Sequence, residues 1–118
     1  MSAAQAGSRW WVVTAGYAAV MGVAAVIPVA APEAGGVPLD KLFHLCEYWL
    51  FAWLLVQAGR ASGFARVHAL AVAFFLSFGY GLILEGAQLL LPSRHGQWED
   101  VAANTLGTLI GMLIGWVR

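Results

Sequence analysis

The sequence predicts an all-α polytopic membrane protein: a four-helix transmembrane bundle with short loops and both termini in the cytoplasm. Three observations carry that prediction. Hydrophobic residues make up 61% of the 118 positions and charged residues only 10%, against about a quarter charged in soluble domains. Four predominantly apolar runs each reach the roughly 20 residues that a helix needs to cross a hydrocarbon core about 30 Å thick. The connections between them, PEAGGVPLD, GRASGFAR and PSRHGQWED, are too short for a separate soluble domain, so residues 1–118 form a single domain. In lipid the backbone must satisfy its own hydrogen bonds, and without the period-two pattern of a barrel the four runs read as helices.

The first span covers about 10–31, from WWVV to VIPVAAP, with Trp10 and Trp11 as interfacial anchors. A secretory signal is the rival reading, because PVAAPEA offers small residues for cleavage. The apolar stretch is longer than an h-region of about 7–15 residues, which favours a retained span. The second span, 41–59, follows Asp40 and Lys41 and ends before Arg60; the third, 66–91, ends at Pro92; the fourth is 100–117. The N-terminus, middle loop and C-terminus share Arg9, Arg60, Arg66 and Arg118, while the other side has only Lys41 and Arg94 beside Glu33, Asp40, Glu99 and Asp100. That excess of basic residues puts both termini in the cytoplasm.

Formal net charge is zero, so nothing marks a basic nucleic-acid surface. The single cysteine, Cys46, cannot pair within the chain and reads as a small packing residue.

The polar residues fall on helix faces. Asp40, His44, Glu47 and Tyr48 share one face of the second helix, Glu85 and Gln88 one face of the third, and Asp100, Asn104, Gly107 and Gly111 one face of the fourth. All three faces meet at the outer level, which predicts one shared pocket. Glu85 stands about 9 Å below that interface, a depth that is costly for a carboxylate unless it is paired, protonated or facing water. Plainer roles exist for each neighbour. Asp40 and Asp100 sit at N-cap positions, Lys41 and Arg94 where basic side chains anchor helix ends, and Asn104 where an interhelical hydrogen bond would serve. His44 alone is most simply a buried, hydrogen-bonded histidine. His68 and His95 read as interface and loop positions.

Gly107, Gly111 and Gly115 form GxxxGxxxG, which permits close helix approach. In so small a bundle the expected partner is the chain's own second or third helix, and dimerisation is left open. Asp40-x-x-x-His44 and Asp100-x-x-x-Asn104 open the second and fourth helices alike, which fits two similarly oriented hairpins.

Taken in order, DKLFH with Tyr48, then EGAQ, then PSR, then Asp100 with Asn104, Gly107 and Gly111 resemble the VanZ-like family of small bacterial membrane proteins. That family's pattern reads D-K-x-x-H-x-x-x-aromatic, then E-x-x-Q, then an Arg six residues before D-x-x-x-N-x-x-G-x-x-x-G, and Arg94 and Asp100 keep that separation. Cys46 and Glu47 stand where the pattern is usually apolar. The resemblance implies a multi-pass protein of the bacterial cytoplasmic (inner) membrane and assigns Asp40, Lys41, His44, Glu85, Gln88, Arg94, Asp100 and Asn104 to its site. The family is named for a protein associated with low-level teicoplanin resistance, so the resemblance implies a cell-envelope role and a contribution to glycopeptide resistance, not a defined reaction.

Functionally, the residues fit a site that binds or processes a lipid-linked, phosphate-bearing envelope precursor or a lipid headgroup. Arg94 and Lys41 would take phosphate oxygens, while the carboxylates would orient them or, as a minority reading, hold a divalent cation. Asp40, Gln88, Asp100 and Asn104 would complete substrate binding, and His44 and Glu85 are the candidate catalytic pair. No serine or cysteine nucleophile stands in a recognisable arrangement and no HExxH-type spacing occurs, so no metal is assigned, the cofactor is unknown and enzyme activity is left open. The alternative is a non-catalytic accessory or assembly subunit whose polar network is structural and whose surface meets an envelope-biosynthesis partner. Transport is disfavoured, because four short helices enclose little channel volume unless the chain oligomerises.

Overall fold

A computed structural model describes residues 2–27, 33–34, 37–90 and 98–117. Four helices follow one another: α1 (Ala3–Val26), α2 (Leu39–Ala61), α3 (Arg66–Leu89) and α4 (Trp98–Val117). Between α1 and α2 the chain forms a two-residue ribbon, β1 (Glu33–Ala34) with β2 (Val37–Pro38), in which Glu33 opposes Pro38 and Ala34 opposes Val37. The expected all-α bundle is thus present.

Helix ends follow capping chemistry more closely than hydropathy. Ser2 and Gln5 form a reciprocal capping box, which starts α1 seven residues before the apolar run. The helix then stops at Val26, not near residue 31, because Ile27 precedes Pro28 and is extended at φ −79°, ψ 125°. Asp40 and Asp100 lie inside the first turns of α2 and α4 and are not N-caps; there a carboxylate still meets the positive end of the helix dipole. At the α2–α3 connection Gly63 takes φ 83°. Its N–H donates to the Arg60 carbonyl at 3.1 Å and the Phe64 N–H reaches back to Gly59 at 2.9 Å, a Schellman closure that needs a residue tolerating the left-handed region.

The bundle has the inverted polarity of a protein dissolved in lipid. Thr14, His44, Ser77, Glu85, Gln88, Asp100, Asn104 and Thr108 are buried, whereas Val67, Phe75, Ile83 and Leu113 are each more than two-thirds exposed. By length and composition α1, α3 and residues 99–117 of α4 are each able to cross a membrane. At 23 residues α2 is as long as its neighbours, but its run is broken by Asp40, Lys41, Glu47 and Arg60. It sits at the centre, packed on all three other helices, which bury His44 and Tyr48 and leave Arg60 exposed. Cys46 faces outward and is not the internal packing residue its surroundings predicted.

The most extensive contact is between α2 and α4, and it is made by the glycine stripe. A Cβ on Gly107 would collide with the Leu45 carbonyl, one on Gly111 with the Trp49 carbonyl, and one on Gly115 would stand 3.0 Å from Val56 Cβ. Rising numbers match rising numbers, so the two helices run parallel with backbones nearly touching. Deeper in the bundle Ser77 Oγ and Thr108 Oγ1 join α3 to α4 at 2.7 Å, and Thr108 also donates to the Asn104 carbonyl at 2.8 Å. The wall formed by α1 is tied on through backbone carbonyls. Tyr17 donates to Glu47 O at 2.8 Å, Tyr80 to Ala18 O, and Gln88 to Ala25 O at 3.0 Å.

The opposite end of the bundle carries Arg60 and Arg66. Arg60 and Gln57 both donate to Gly115 O at 2.9 Å, and the guanidinium groups of Arg60 and Arg66 each lie 5.2 Å from the Trp116 ring.

The seam makes a direct prediction. Gly107→Ala and Gly111→Ala should each destabilise the bundle by about 2–3 kcal/mol, because backbone must move to admit the methyl group. Gly16→Ala, whose Cβ meets nothing within 4 Å, should be neutral or stabilise by up to about 1 kcal/mol. Equilibrium unfolding in mixed micelles compares them, and equal stabilities would show that the seam is not tight.

Candidate functional site

The register set by the glycine seam brings the first turns of α2 and α4 together. Lys41 Nζ donates to Asp40 Oδ2 at 3.2 Å and to Asp100 Oδ1 across the helix pair. The Asp100 side chain is only 6% exposed and that of Asp40 39% exposed, so the ammonium chiefly neutralises the interior carboxylate. Each carboxylate turns its second oxygen toward the imidazole of His44. Nε2 stands 3.6 Å from Asp40 Oδ1 and 3.9 Å from Asp100 Oδ2, beyond hydrogen-bond distance.

His44 is 9% exposed, and its Nδ1 has no hydrogen-bond partner among the described residues. Asn104, 4% exposed, leaves its Oδ1 in the same condition. Buried polar atoms are nearly always satisfied, and leaving one unmade costs about 1–3 kcal/mol. Both residues line the same space, a cavity of about 340 Å³ between α1, α2 and α3 with Asn104 reaching in from α4. Its polar wall is formed by Asp40, His44, Glu47, Glu85, Gln88 and Asn104; Ile27, Phe43 and Leu84 contribute to a larger apolar wall. Tyr48, 2% exposed, closes the floor beside Gly81. The glycine matters there, since a Cβ would lie 3.2 Å from the tyrosine ring and 3.4 Å from Asn104 Nδ2.

The polar residues expected to share one pocket therefore divide into two groups. Asp40 and His44 belong to both the charged cluster and the cavity wall. Lys41 and Asp100 belong to the cluster alone, while Glu85, Gln88 and Asn104 belong to the wall. Gln88 also holds α1 through the Ala25 carbonyl, so positioning the wall is part of its work. Arg94, His95 and Pro92 lie outside the described residues. His68 is far from the cluster along the chain and stacks on Phe64 with ring centroids 4.6 Å apart.

Gly81 is not singled out by the sequence motifs, and a divalent cation on the carboxylates is only a minority reading of them. Gly81 stands four residues before Glu85 on the same buried face of α3, and that spacing was the available signal. One donor atom each from Asp40, His44 and Asp100 lies within 4.8 Å of the others, a constellation able to hold a metal ion. Its third member comes from another helix, so no linear ligand motif exists for spacing to reveal.

No curated protein and no solved structure matches the chain. A family model described as VanZ/LLP1 matches residues 3–118. The match covers essentially the whole bundle, from the first turn of α1 through the charged cluster, the cavity wall and the glycine seam, and the chain belongs to the VanZ/LLP1 family.

Proposed function

We propose that this protein binds a membrane amphiphile, a lipid or lipid-linked envelope precursor, with its headgroup in the cavity at the polar end of the bundle. The observation that supports this most is the mixed lining of the cavity, in which Asp40, His44, Glu85 and Asn104 stand among Ile27, Phe43 and Leu84. A ligand with a hydrogen-bonding head and a hydrocarbon tail can meet both kinds of side chain. The arginine-rich end would face the cytoplasm, and the cavity would then lie at the outer leaflet of the bacterial cytoplasmic membrane. Lys41 is engaged by Asp40 and Asp100; Arg94, which the family pattern assigns to the site, is the other basic residue proposed to take a phosphate. His44 and Glu85 would orient the headgroup and are the pair able to exchange protons with it. A contribution to teicoplanin resistance would follow if the amphiphile were a lipid-linked envelope precursor.

A second reading, a non-catalytic accessory subunit, is favoured by the closed contacts among Lys41, Asp40 and Asp100. The two readings separate on variants that alter the cavity without touching that cluster. Ala24 lines the cavity from α1, and Ala24→Phe should fill it. Native mass spectrometry of the full chain from nanodiscs, offered polyprenyl phosphate and phosphatidylglycerol, should show at least a tenfold loss of retained lipid for Ala24→Phe and for Glu85→Gln. Lipid retention equal to wild type in both would remove the pocket reading and leave the accessory one.

The charged cluster makes its own prediction. Lys41→Met leaves Asp100 buried beside no cation from α2 and should destabilise the bundle by about 3 kcal/mol, while Lys41→Met/Asp100→Leu should return to within about 1 kcal/mol of wild type. Asp40→Asn, at a more exposed position, should change stability by less than about 1 kcal/mol. Unfolding in mixed micelles measures all three, and an additive double variant would show that Lys41 and Asp100 are not coupled.

A further inference from the structure

We infer that Asp40, His44 and Asp100 form a divalent-cation site, with Asp40 Oδ1, Asp100 Oδ2 and His44 Nε2 as protein ligands and the remaining positions directed to the cavity. Two independent observations point there. Asp40 and Asp100 each give one oxygen to Lys41 and hold the other toward the imidazole. The imidazole itself is nine-tenths buried, and neither of its nitrogens makes a hydrogen bond among the described residues. Nε2 faces both carboxylates, so one ring nitrogen and two carboxylate oxygens from two helices converge on one space.

The dimensions suit a small ion. Metal-to-donor distances of about 2.1 Å put adjacent ligand atoms roughly 3.0–3.4 Å apart in octahedral or tetrahedral geometry. The separations from Nε2 are 3.6 and 3.9 Å, and one donor atom from each residue lies within 4.8 Å of the others, so binding an ion would draw the two carboxylates and the ring inward. Lys41 need not leave. It bonds the opposite oxygens and holds the carboxylates in place, as outer hydrogen-bond partners do around metal ligands. One nitrogen and two oxygen donors select Zn²⁺ or Mn²⁺ over Mg²⁺ and Ca²⁺, which prefer oxygen alone.

The charge count gives the ion a role. Within the cluster, two carboxylates and one ammonium sum to −1, and a divalent cation would raise that local sum to +1, a positive group that a phosphate on the bound amphiphile could meet. Asp40 and His44 are both cavity-wall residues, so the ion would stand between the cluster and the ligand. It would turn an acidic wall into an anion acceptor without drawing Lys41 out of its pairs. The metal site rests on its own geometry; this link to phosphate rests on the amphiphile reading above.

The test titrates metal-stripped full chain, in nanodiscs of zwitterionic lipid, with ZnCl₂, MnCl₂ and MgCl₂ by calorimetry. One equivalent of Zn²⁺ should bind, with Mg²⁺ at least a hundredfold weaker. His44→Gln and Asp100→Asn should weaken Zn²⁺ at least tenfold, and His68→Gln should leave it unchanged. Absence of Zn²⁺ uptake, or equal effects of the two histidine variants, overturns the site; should Asp100→Asn lose its helical circular dichroism, His44→Gln decides alone. A second arm measures polyprenyl phosphate retention before and after EDTA, where a tenfold loss supports the bridging role. Retention unchanged by EDTA overturns that role and leaves the pocket standing. Zn²⁺ binding at His44 with no lipid retention under any condition overturns the pocket and leaves the metal site standing.

Discussion

Everything at the polar end depends on how closely α2 and α4 approach. With no side chain at Gly107 the α4 backbone rests on the Leu45 carbonyl, and because a helix is stiff that single contact fixes the level of the rest. Asp100 stands seven residues, about 10 Å, toward the polar end from Gly107, and Lys41 four residues, about 6 Å, from Leu45. The long lysine side chain spans the difference and meets both aspartates. A wider helix pair, spaced by alanine or leucine, would leave the interior carboxylate without its partner. The same approach explains why the seam is parallel and made of small residues. In lipid there is little hydrophobic gain in joining two apolar helices, so association relies on close packing and interhelical hydrogen bonds.

Those hydrogen bonds are placed where they preserve a cavity. Tyr17, Tyr80 and Gln88 all end on backbone carbonyls of a neighbouring helix. Such oxygens already accept an intrahelical bond and still have a second lone pair to offer. The helix α1 is therefore held at several levels along its length while Ala24 and Ala25 keep the intervening wall thin. On the other side Gly81 leaves room for the Tyr48 ring. The cavity is thus bounded by tied elements and small residues, and it persists because no large side chain is positioned to collapse into it.

Much of this was legible because helical periodicity survives in a membrane chain. Asp100, Asn104, Gly107 and Gly111 were grouped on one face by spacing, and all four are buried; the same holds for Glu85 and Gln88 on α3. The glycine stripe was read as a seam within the chain, and α2 is its partner. Helix ends were less legible. Hydropathy reports where lipid is tolerated, whereas Ser2 and Pro28 decide where α1 starts and stops. Centrality was not legible either. A 23-residue segment with Asp40, Lys41, Glu47 and Arg60 reads as the weakest span, yet that same polarity places it in the middle, where three other helices cover it. Division of the polar residues into a charged cluster and a cavity wall depends on which oxygen of a carboxylate faces which neighbour, and no spacing rule encodes that.

The resemblance between the openings of α2 and α4 acquires a physical meaning from the asymmetry of the bundle. Both helices start with an aspartate followed four residues later by a polar side chain, and they run parallel, as two like-oriented hairpins would. The packing is not symmetric, however: α2 meets α1 and α3 as well as α4, whereas α4 makes no comparable contact with α1. The space left between α1, α2 and α3 is the cavity, and the matched residues His44 and Asn104 both border it with an unsatisfied buried atom. If the cluster served stability alone, burial of those two atoms would be a loss of about 1–3 kcal/mol each without return. A ligand whose polar groups reach them would convert that loss into binding energy. Lys41 closes one side of the acid pair and His44 faces the other, so under the proposed metal site the structural and binding roles would fall on opposite oxygens of the same two carboxylates.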